Sequence, residues 1–244
     1  MPPHVKPRRY DASRRRAAAG QRQEHILDVA RELMLRHGYA ATTIATIATA
    51  AGVSPETIYK SFGGKTGVAR ALFQRGLEGT GSVPAEERSN RLREVSTGHE
   101  LVAGWAQLAS EVAPRGAPLV LLLRDAAASD PKARSLLEEI DRARMARMRD
   151  NARALMATGD VRPGLTLADV TDVLFTVSSA EMFELLVIRR GWTARRFARF
   201  QRETTAGALL IPKATPVAAN PGAQWQSIKP TRTGSKPART RGGS

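Results

Sequence analysis

The sequence predicts an all-α protein, and three observations support this fold class. Ala, Leu, Arg and Glu dominate the 244 residues, and these residue types favour helices. Strict alternation of apolar and polar residues, the pattern of a half-buried strand, never persists for more than a few positions. Apolar residues instead recur at helical spacing between glycines and prolines that end one segment before the next begins.

Four helices are predicted in the first third of the chain. The first covers residues 21–37 and ends at Gly38, because glycine commonly stops a helix at the C′ position. The second covers residues 44–51. The third covers residues 54–62, with a serine cap and a proline at its first helical position. The fourth covers residues 66–77.

Residues 78–84 contain two glycines and a proline, a composition break that we interpret as a joint between subdomains. Beyond it, helices are predicted over residues 99–112, 118–127, 131–156, 167–188 and 193–210. Pro114 and Gly116 are expected to separate the first two of these helices, and Gly191 precedes the last.

Positive charge is concentrated at the two ends of the chain. The formal net charge is +15, from 38 Lys and Arg against 23 Asp and Glu. Residues 1–20 contain six basic side chains and one acid, and residues 211–244 contain six basic side chains and no acid. We expect a basic flexible arm over 1–20 and a disordered basic tail over 211–244. Such arms suit a polyanion, because each neutralised phosphate releases counterions, although they also aid solubility.

Several function classes are disfavoured by what the sequence lacks. It has no cysteine, so no disulfide, thiolate metal site or cysteine nucleophile is expected, and its four histidines lack metal-ligand spacing. Gly64–Lys65–Thr66 matches the end of a P-loop, but Tyr59 stands where that motif needs a glycine. No apolar run approaches the ~18 residues of a membrane span, and residues 1–9 lack the core of a secretory signal. We therefore expect a cytoplasmic protein with no catalytic residue, metal, cofactor or membrane partner.

The most informative stretch is residues 44–61, where two short helices flank a tight turn. Gly52 supplies the positive φ that such a turn commonly needs, and Ala48 is small where two helices must approach closely. The inward-facing residues are Ile44, Ile47, Val53 and Ile58. This is a helix-turn-helix pattern, whose second helix can enter the major groove of DNA. A purely structural helical turn is the alternative.

These residues and their flanks resemble the N-terminal domain of the TetR family of repressors. The resemblance rests on His37–Gly38–Tyr39, on T-I-x-x-I-A-x-x-A-G-V-S from Thr43 to Ser54, and on T-I-Y-x-x-F-G-G-K from Thr57 to Lys65. It implies a homodimeric, ligand-responsive transcriptional regulator, usually a repressor. The implied architecture is a three-helix helix-turn-helix DNA-binding domain over 21–72 and a helical effector-binding and dimerisation domain over 73–210.

The resemblance also implies which residues contact double-stranded DNA. They are Thr43, Ser54, Pro55, Glu56, Thr57, Tyr59, Lys60 and Lys65. Thr43 and Lys65 would contact phosphates, and the residues that open the third helix would read base edges. Glu56 suits the dipole of its own helix but repels phosphate, unless it accepts a hydrogen bond from a cytosine amine.

In the second half, the resemblance implies that helices 167–188 and 193–210 pair with those of a second copy. The wide apolar coverage of both helices requires burial, either in such an interface or within the chain. A pocket for an unknown small-molecule effector is expected, and the residues predicted to line it are Trp105, Arg124, Met148, Phe175 and Met182. Ordinary core packing is the alternative for each of them. Arg124 can also simply pair with Asp125.

Two further expectations complete the sequence reading. The arginine run over residues 142–153 is interpreted as an exposed helix face with its stems packed beneath. For function, the leading hypothesis is a dimeric repressor that a small molecule releases from a palindromic operator. The alternative is an architectural DNA-binding protein without sequence choice or inducer, and an all-α enzyme is the weakest possibility.

Overall fold

The computed structural model describes residues 12–94 and 97–212, and within them it confirms an all-α architecture. The helices are α1 Ala12–Ala41, α2 Ile44–Ala51, α3 Pro55–Phe62, α4 Lys65–Glu78, α5 Ala85–Leu92, α6 Gly98–Ala126, α7 Pro131–Ala157, α8 Leu167–Val177, α9 Ala180–Phe183 and α10 Ala194–Leu209, with a π-helical turn, Glu184–Ile188, between the last two. In this part of the chain the sole β-type pairing is an isolated bridge between Val161 and Leu210. The predicted disordered tail beyond residue 212 and the first eleven residues of the predicted arm lie outside the described residues.

Helix α1 begins at Ala12, so the prediction of a flexible arm is wrong for residues 12–20. The reason is local, because this segment is rich in Ala and Arg, which are strong helix formers, and needs no buried face to continue the helix. The predicted stop at Gly38 is confirmed as a kink, with φ 85° inside the run that ends at Ala41.

The predicted helix-turn-helix forms as two short, well-capped helices. Gly52 adopts φ 64°, as the tight turn requires, and Ser54 caps α3 by accepting a hydrogen bond from the backbone N–H of Thr57. Ile47 and Ile58 are fully buried, and Ala48 is almost so. Their apolar core does not stop at the fourth helix, since the same cluster continues into α6 and α7 through Leu119, Leu123 and Leu136.

Helix α6 corrects the prediction of two helices over 99–112 and 118–127. It runs unbroken from Gly98 to Ala126 through Pro114 and Pro118. Each proline removes a backbone hydrogen bond and favours a break. Both lie in a helix that packs against α1, α4, α5, α7, α9 and α10, so burial along its length outweighs the local preference.

The predicted helix 167–188 is divided rather than continuous. Helix α8 ends at Val177, and Ser179 then caps α9 by accepting from the N–H of Met182. Helix α5, over residues 85–92, was not predicted. Two further apolar clusters lie in this part of the chain. One is centred on Leu101, Leu155 and Leu209, and the other on the edge-to-face pair Phe183–Phe197, whose ring centroids are 5.5 Å apart. No helix among the described residues is long and apolar enough to cross a membrane.

Glu111 of α6 ties down the predicted joint over residues 78–84. Its Oε2 atom accepts from the Thr80 N–H at 3.2 Å and from the Thr80 hydroxyl at 2.9 Å. Arg88 of α5 donates to both carboxylate oxygens, at 3.1 and 2.6 Å. Arg115 donates to the carbonyl of Gly79 beside them. The joint is therefore held by a charged network, and the hydrogen bonds from Arg88 are the main reason that the pKa of Glu111 falls to about 2.

Replacing Glu111 with glutamine is expected to lower the free energy of unfolding at neutral pH by about 1–2 kcal/mol, because hydrogen bonds to a charged group are lost. The pKa of Glu111 drops from 4.5 to about 2 on folding. Its ionised form therefore contributes fully above pH 4.5, and this contribution is lost as the pH falls toward 2. Urea denaturation followed by circular dichroism at neutral pH and near pH 3 measures both effects.

The matched control is Glu138→Gln, since Glu138 is exposed on α7 and has no hydrogen bond or ion pair with the residues that the structure describes. This control should change stability little at either pH. A Glu111→Gln deficit that is as large near pH 3 as at neutral pH would contradict the role of the ionised network.

Candidate functional site

Helix α3 presents a polar face outward on a single buried anchor. Ile58 is fully buried, whereas Tyr59 is 56% exposed. The other predicted contact residues of this helix and its cap are Ser54, Pro55, Glu56, Thr57 and Lys60. All of them are exposed except Thr57, which is half-buried. The structure therefore brings the predicted recognition residues together on one accessible surface, which we call the α3 face and define as residues 54–57, 59 and 60.

Two predicted contact hydroxyls also serve as helix caps. Thr43 is exposed and accepts from the N–H of Thr46 at 3.1 Å, and Thr46 returns the bond in a capping box. Ser54 caps α3 in the same way, through Thr57. Capping uses each hydroxyl oxygen as an acceptor, so its proton can still donate to a phosphate oxygen.

Glu56 lies exposed in the first turn of α3. Its pKa is lowered by its own backbone N–H and, second, by Ser54, so it is ionised at neutral pH. An ionised carboxylate only accepts hydrogen bonds, which suits a cytosine amine and disfavours a phosphate at this position.

Lys65 differs from the free phosphate clamp that the sequence predicted. Its Nζ donates to the carbonyl of Tyr39 at 3.0 Å and to that of Ala40 at 3.4 Å, and it lies 4.2 Å from the centre of the Tyr39 ring. The Tyr39 hydroxyl in turn lies 3.1 Å from that of Thr66. Lys65 thus fastens the start of α4 to the end of α1, which leaves it less donor capacity for DNA.

A cavity of about 620 Å³ is lined by residues of α4 to α10. Of the predicted pocket residues, Trp105, Arg124, Met148 and Phe175 line it. Met182 does not line the cavity and packs instead in the cluster around Phe183 and Phe197. The cavity also contacts α4 through Phe73 and Leu77, so one wall belongs to the helix that directly follows the α3 face.

The interpretation of the arginine run as an exposed face is wrong for Arg144 and Arg147, which line the cavity. Arg144 lies 3.5 Å from the centre of the Phe175 ring and donates to the Phe175 carbonyl at 2.6 Å. Arg147 donates to Asn90 Oδ1 at 2.7 Å. Burial lowers the pKa of both guanidinium groups. The sequence signal for the burial of these two arginines was that they lie on the same face of α7 as Ile140 and Met148.

Arg124 pairs with Asp125 at 3.2 Å, as the sequence allowed, and also with Glu184 at 3.0 Å. Sequence reasoning missed Gln201 of α10, which is 6% exposed and lines the cavity. A lone glutamine in an arginine-rich helix gives no pattern that marks it as buried. No group of three His, Asp or Glu side chains in the described segments can hold a metal ion.

The helices predicted to pair with a second copy are partly used within the chain. Val170, Leu174 and Phe197 are buried in its own core, as the intrachain alternative required. Leu185 and Ile188 remain about half exposed at the π-helical turn, at 48% and 54%. Among the large apolar residues of the predicted interface that the structure describes, these two are the most exposed.

Part of the chain matches a known protein family. Residues 26–72 match the sequence model of bacterial regulatory proteins of the tetR family. The chain is 40% identical over 60 residues to YvkB, an uncharacterized HTH-type transcriptional regulator of Bacillus subtilis, and the match covers 25% of the chain and 32% of YvkB. The chain thus spans about a third of the length of this curated relative.

Solved structures resemble the chain over a greater length. The complex of SmeT from Stenotrophomonas maltophilia with triclosan superposes with a TM-score of 0.62 at 21% identity, covering 80% of the chain and 99% of SmeT. A transcriptional regulator from Saccharomonospora viridis in complex with choline gives a TM-score of 0.59 at 16% identity, covering 79% of the chain and all of that protein. At these identities the likeness supports the fold.

Proposed function

Because residues 26–72 match the tetR family of bacterial regulatory proteins, we propose that the chain is a dimeric repressor of this family that binds a palindromic operator and is released from it by a small molecule. The observation that carries the proposal is the α3 face: exposed polar residues on a short helix that Ile58 anchors in the core. Such a helix can lie in the major groove with its side chains toward base edges. A protein that binds chromosomal DNA in a bacterium would act in the cytoplasm.

The position of the cavity supports an effector response. Phe73 and Leu77 of α4 line it, and only two residues separate the end of α3 from the start of α4. A molecule in the cavity therefore contacts the element that holds the recognition helix in place. Such a molecule weakens DNA binding only if it binds more tightly to the protein conformation that does not fit DNA. Two structures of similar fold hold small molecules, triclosan and choline, which fits a ligand-binding role for this domain.

Both the geometry of a palindromic operator and the exposed apolar residues support a dimer. Two recognition helices about 34 Å apart meet successive major grooves on one side of the DNA. Leu185 and Ile188, which the single chain leaves exposed, are where we place the contact between copies.

The test of the function is selection of bound fragments from genomic DNA, followed by titration of the selected and random fragments under matched salt. If the protein is a repressor, the selected fragments should share a palindrome, and the protein should bind it at least ~10³-fold more tightly than random DNA. Equal affinity for both DNAs would contradict the proposal and favour the architectural alternative. Analytical ultracentrifugation, alone and with DNA, reports the oligomeric state.

Replacing Lys60 with glutamine is expected to reduce the slope of log affinity against log salt concentration by about one unit, because one phosphate contact is lost. Lys60 is exposed and has no hydrogen bond or ion pair with any described residue, so its charge is available to DNA. Fluorescence anisotropy over a salt series measures the slope. Lys132→Gln, an exposed lysine at the start of α7, removes the same charge elsewhere and should leave the slope unchanged.

A further inference from the structure

We infer that Glu56 reads a cytosine in each half of the operator through the N4 amine of that base, so that methylation of this amine blocks recognition. The inference rests on the proposed function and deepens it, since it names a base that the α3 face selects. Three features of Glu56 carry it: its direction on α3, its place in the first turn of that helix, and a negative charge that no cation of the chain pairs with.

Glu56 lies on the side of α3 that faces away from the protein core. Ile58 is the buried residue of this helix and is fully buried. Successive side chains of an α-helix are about 100° apart, so Glu56, two residues before Ile58, points about 200° away from it. Lys60, two residues after Ile58, lies on the same outward line, and both side chains are exposed. Glu56 and Lys60 therefore form the ridge of α3 that enters a groove first.

The two residues of this ridge differ in what they can reach. Glu56 is in the first turn of α3, directly after the Ser54 cap and Pro55. In helix-turn-helix proteins the N-terminal residues of the recognition helix contact base edges. The short side chain of Glu56 places its carboxylate at those edges. The longer, flexible stem of Lys60 can instead carry its ammonium to the phosphates that border the groove.

Glu56 presents a negative charge that the chain does not neutralise. Its pKa is lowered first by its own backbone N–H and then by Ser54, and both are neutral groups. It forms no ion pair with a basic side chain in the segments that the structure describes. Phosphates therefore repel this carboxylate, which can only accept hydrogen bonds. Glu56 gains a favourable contact with DNA only where a base edge presents a donor.

Cytosine is the base whose edge in the major groove suits a carboxylate. Only cytosine and adenine present an amine donor there, since guanine and thymine present acceptors. In adenine the N6 amine lies beside the N7 acceptor, which repels a carboxylate oxygen, whereas cytosine presents its N4 amine without an acceptor. One N4 hydrogen pairs with guanine and the other points into the groove. A methyl group on N4 takes the place of the hydrogen that Glu56 needs.

Selection of bound genomic fragments with Glu56→Gln beside the wild-type chain shows which base Glu56 reads. We expect a cytosine in each half of the wild-type palindrome to become adenine in the fragments that Glu56→Gln selects, because a glutamine amide pairs with N6 and N7 of adenine. Glu138→Gln, which removes an exposed charge of α7, should select the wild-type palindrome. A palindrome that Glu56→Gln leaves unchanged overturns the inference but supports the proposed function. Equal binding of all fragments contradicts the proposed function itself.

Methylation of the selected cytosine tests the contact directly. Fluorescence anisotropy compares the operator with the same operator that carries N4-methylcytosine at this position in both halves. We expect methylation to weaken wild-type binding at least about tenfold and Glu56→Ala binding less than about twofold. The same modification of a flanking cytosine outside the palindrome should change neither affinity. Unchanged wild-type affinity overturns the inference, and so does an equal loss in Glu56→Ala, because another residue then reads the amine.

Circular dichroism and thermal denaturation show whether each variant is folded. Glu56 is exposed and has no part in the core, so its variants should keep the wild-type fold. If Glu56→Ala fails to fold, Glu56→Arg takes its place in the methylation series. Its guanidinium has no acceptor for an amine, so the affinity of this variant should also change less than about twofold on methylation.

Discussion

Replacing Tyr59 with alanine should weaken operator binding by about 1–3 kcal/mol, or roughly 5- to 150-fold, without loss of folded protein. Tyr59 is the largest exposed side chain of the α3 face, at 56% exposure, while its neighbour Ile58 is buried. Truncation therefore removes contact surface and a hydroxyl from the interface but no part of the core. An aromatic side chain brings a large contact area at low entropic cost, which is why its loss should exceed that of any smaller residue on the face.

The measurement is fluorescence anisotropy with the selected operator, together with thermal denaturation of the free protein. Met145→Ala is the matched control, because Met145 is a 38% exposed apolar residue of α7 that lies far from α3 in the chain and does not line the cavity. It should leave operator affinity unchanged. If Tyr59→Ala binds the operator with wild-type affinity, α3 does not contact DNA as proposed. The proposed function then loses its main support.

Replacing Gly67 with alanine should destabilise the protein by about 2–3 kcal/mol and weaken operator binding with it. A Cβ atom at Gly67 would lie 1.6 Å from the backbone carbonyl oxygen of Phe62, the last residue of α3. A carbonyl at a helix end cannot rotate away as a flexible side chain can, so the turn between α3 and α4 must open. Opening it displaces α3, whose C-terminal residue Phe62 packs on the same core as Ile58.

Urea denaturation gives the change in stability, and operator titration gives the coupled change in affinity. Gly20→Ala is the control, because Gly20 lies within α1 and a Cβ there meets nothing within 4 Å. This control should stabilise the fold by about 0.5–1 kcal/mol, as alanine is the better helix former. Unchanged stability in Gly67→Ala would mean that the α3–α4 turn is not rigid.

The helix-turn-helix segment was largely predictable because its determinants are local. Capping by Ser54, the positive φ of Gly52 and the burial of Ile58 all depend on residues within a few positions of each other. The same local rules correctly placed helices α2, α3 and α4. They failed at residues 12–20, where helix propensity continued α1 beyond any apolar pattern.

What local pattern could not decide was settled by contacts between segments far apart in the chain. Packing of α6 against six other helices carries it through two prolines, and the end of α1 engages Lys65, which the family resemblance had assigned to DNA. The fate of an arginine or glutamine likewise depends on its neighbours in space: Arg144 is half-buried against the carbonyl oxygen of Phe175, and Gln201 is buried against that of Val177. The local sequence thus determined the helix-turn-helix. The shape and chemistry of the cavity were decided only by the packing of distant helices, since burial is a property of the assembled chain.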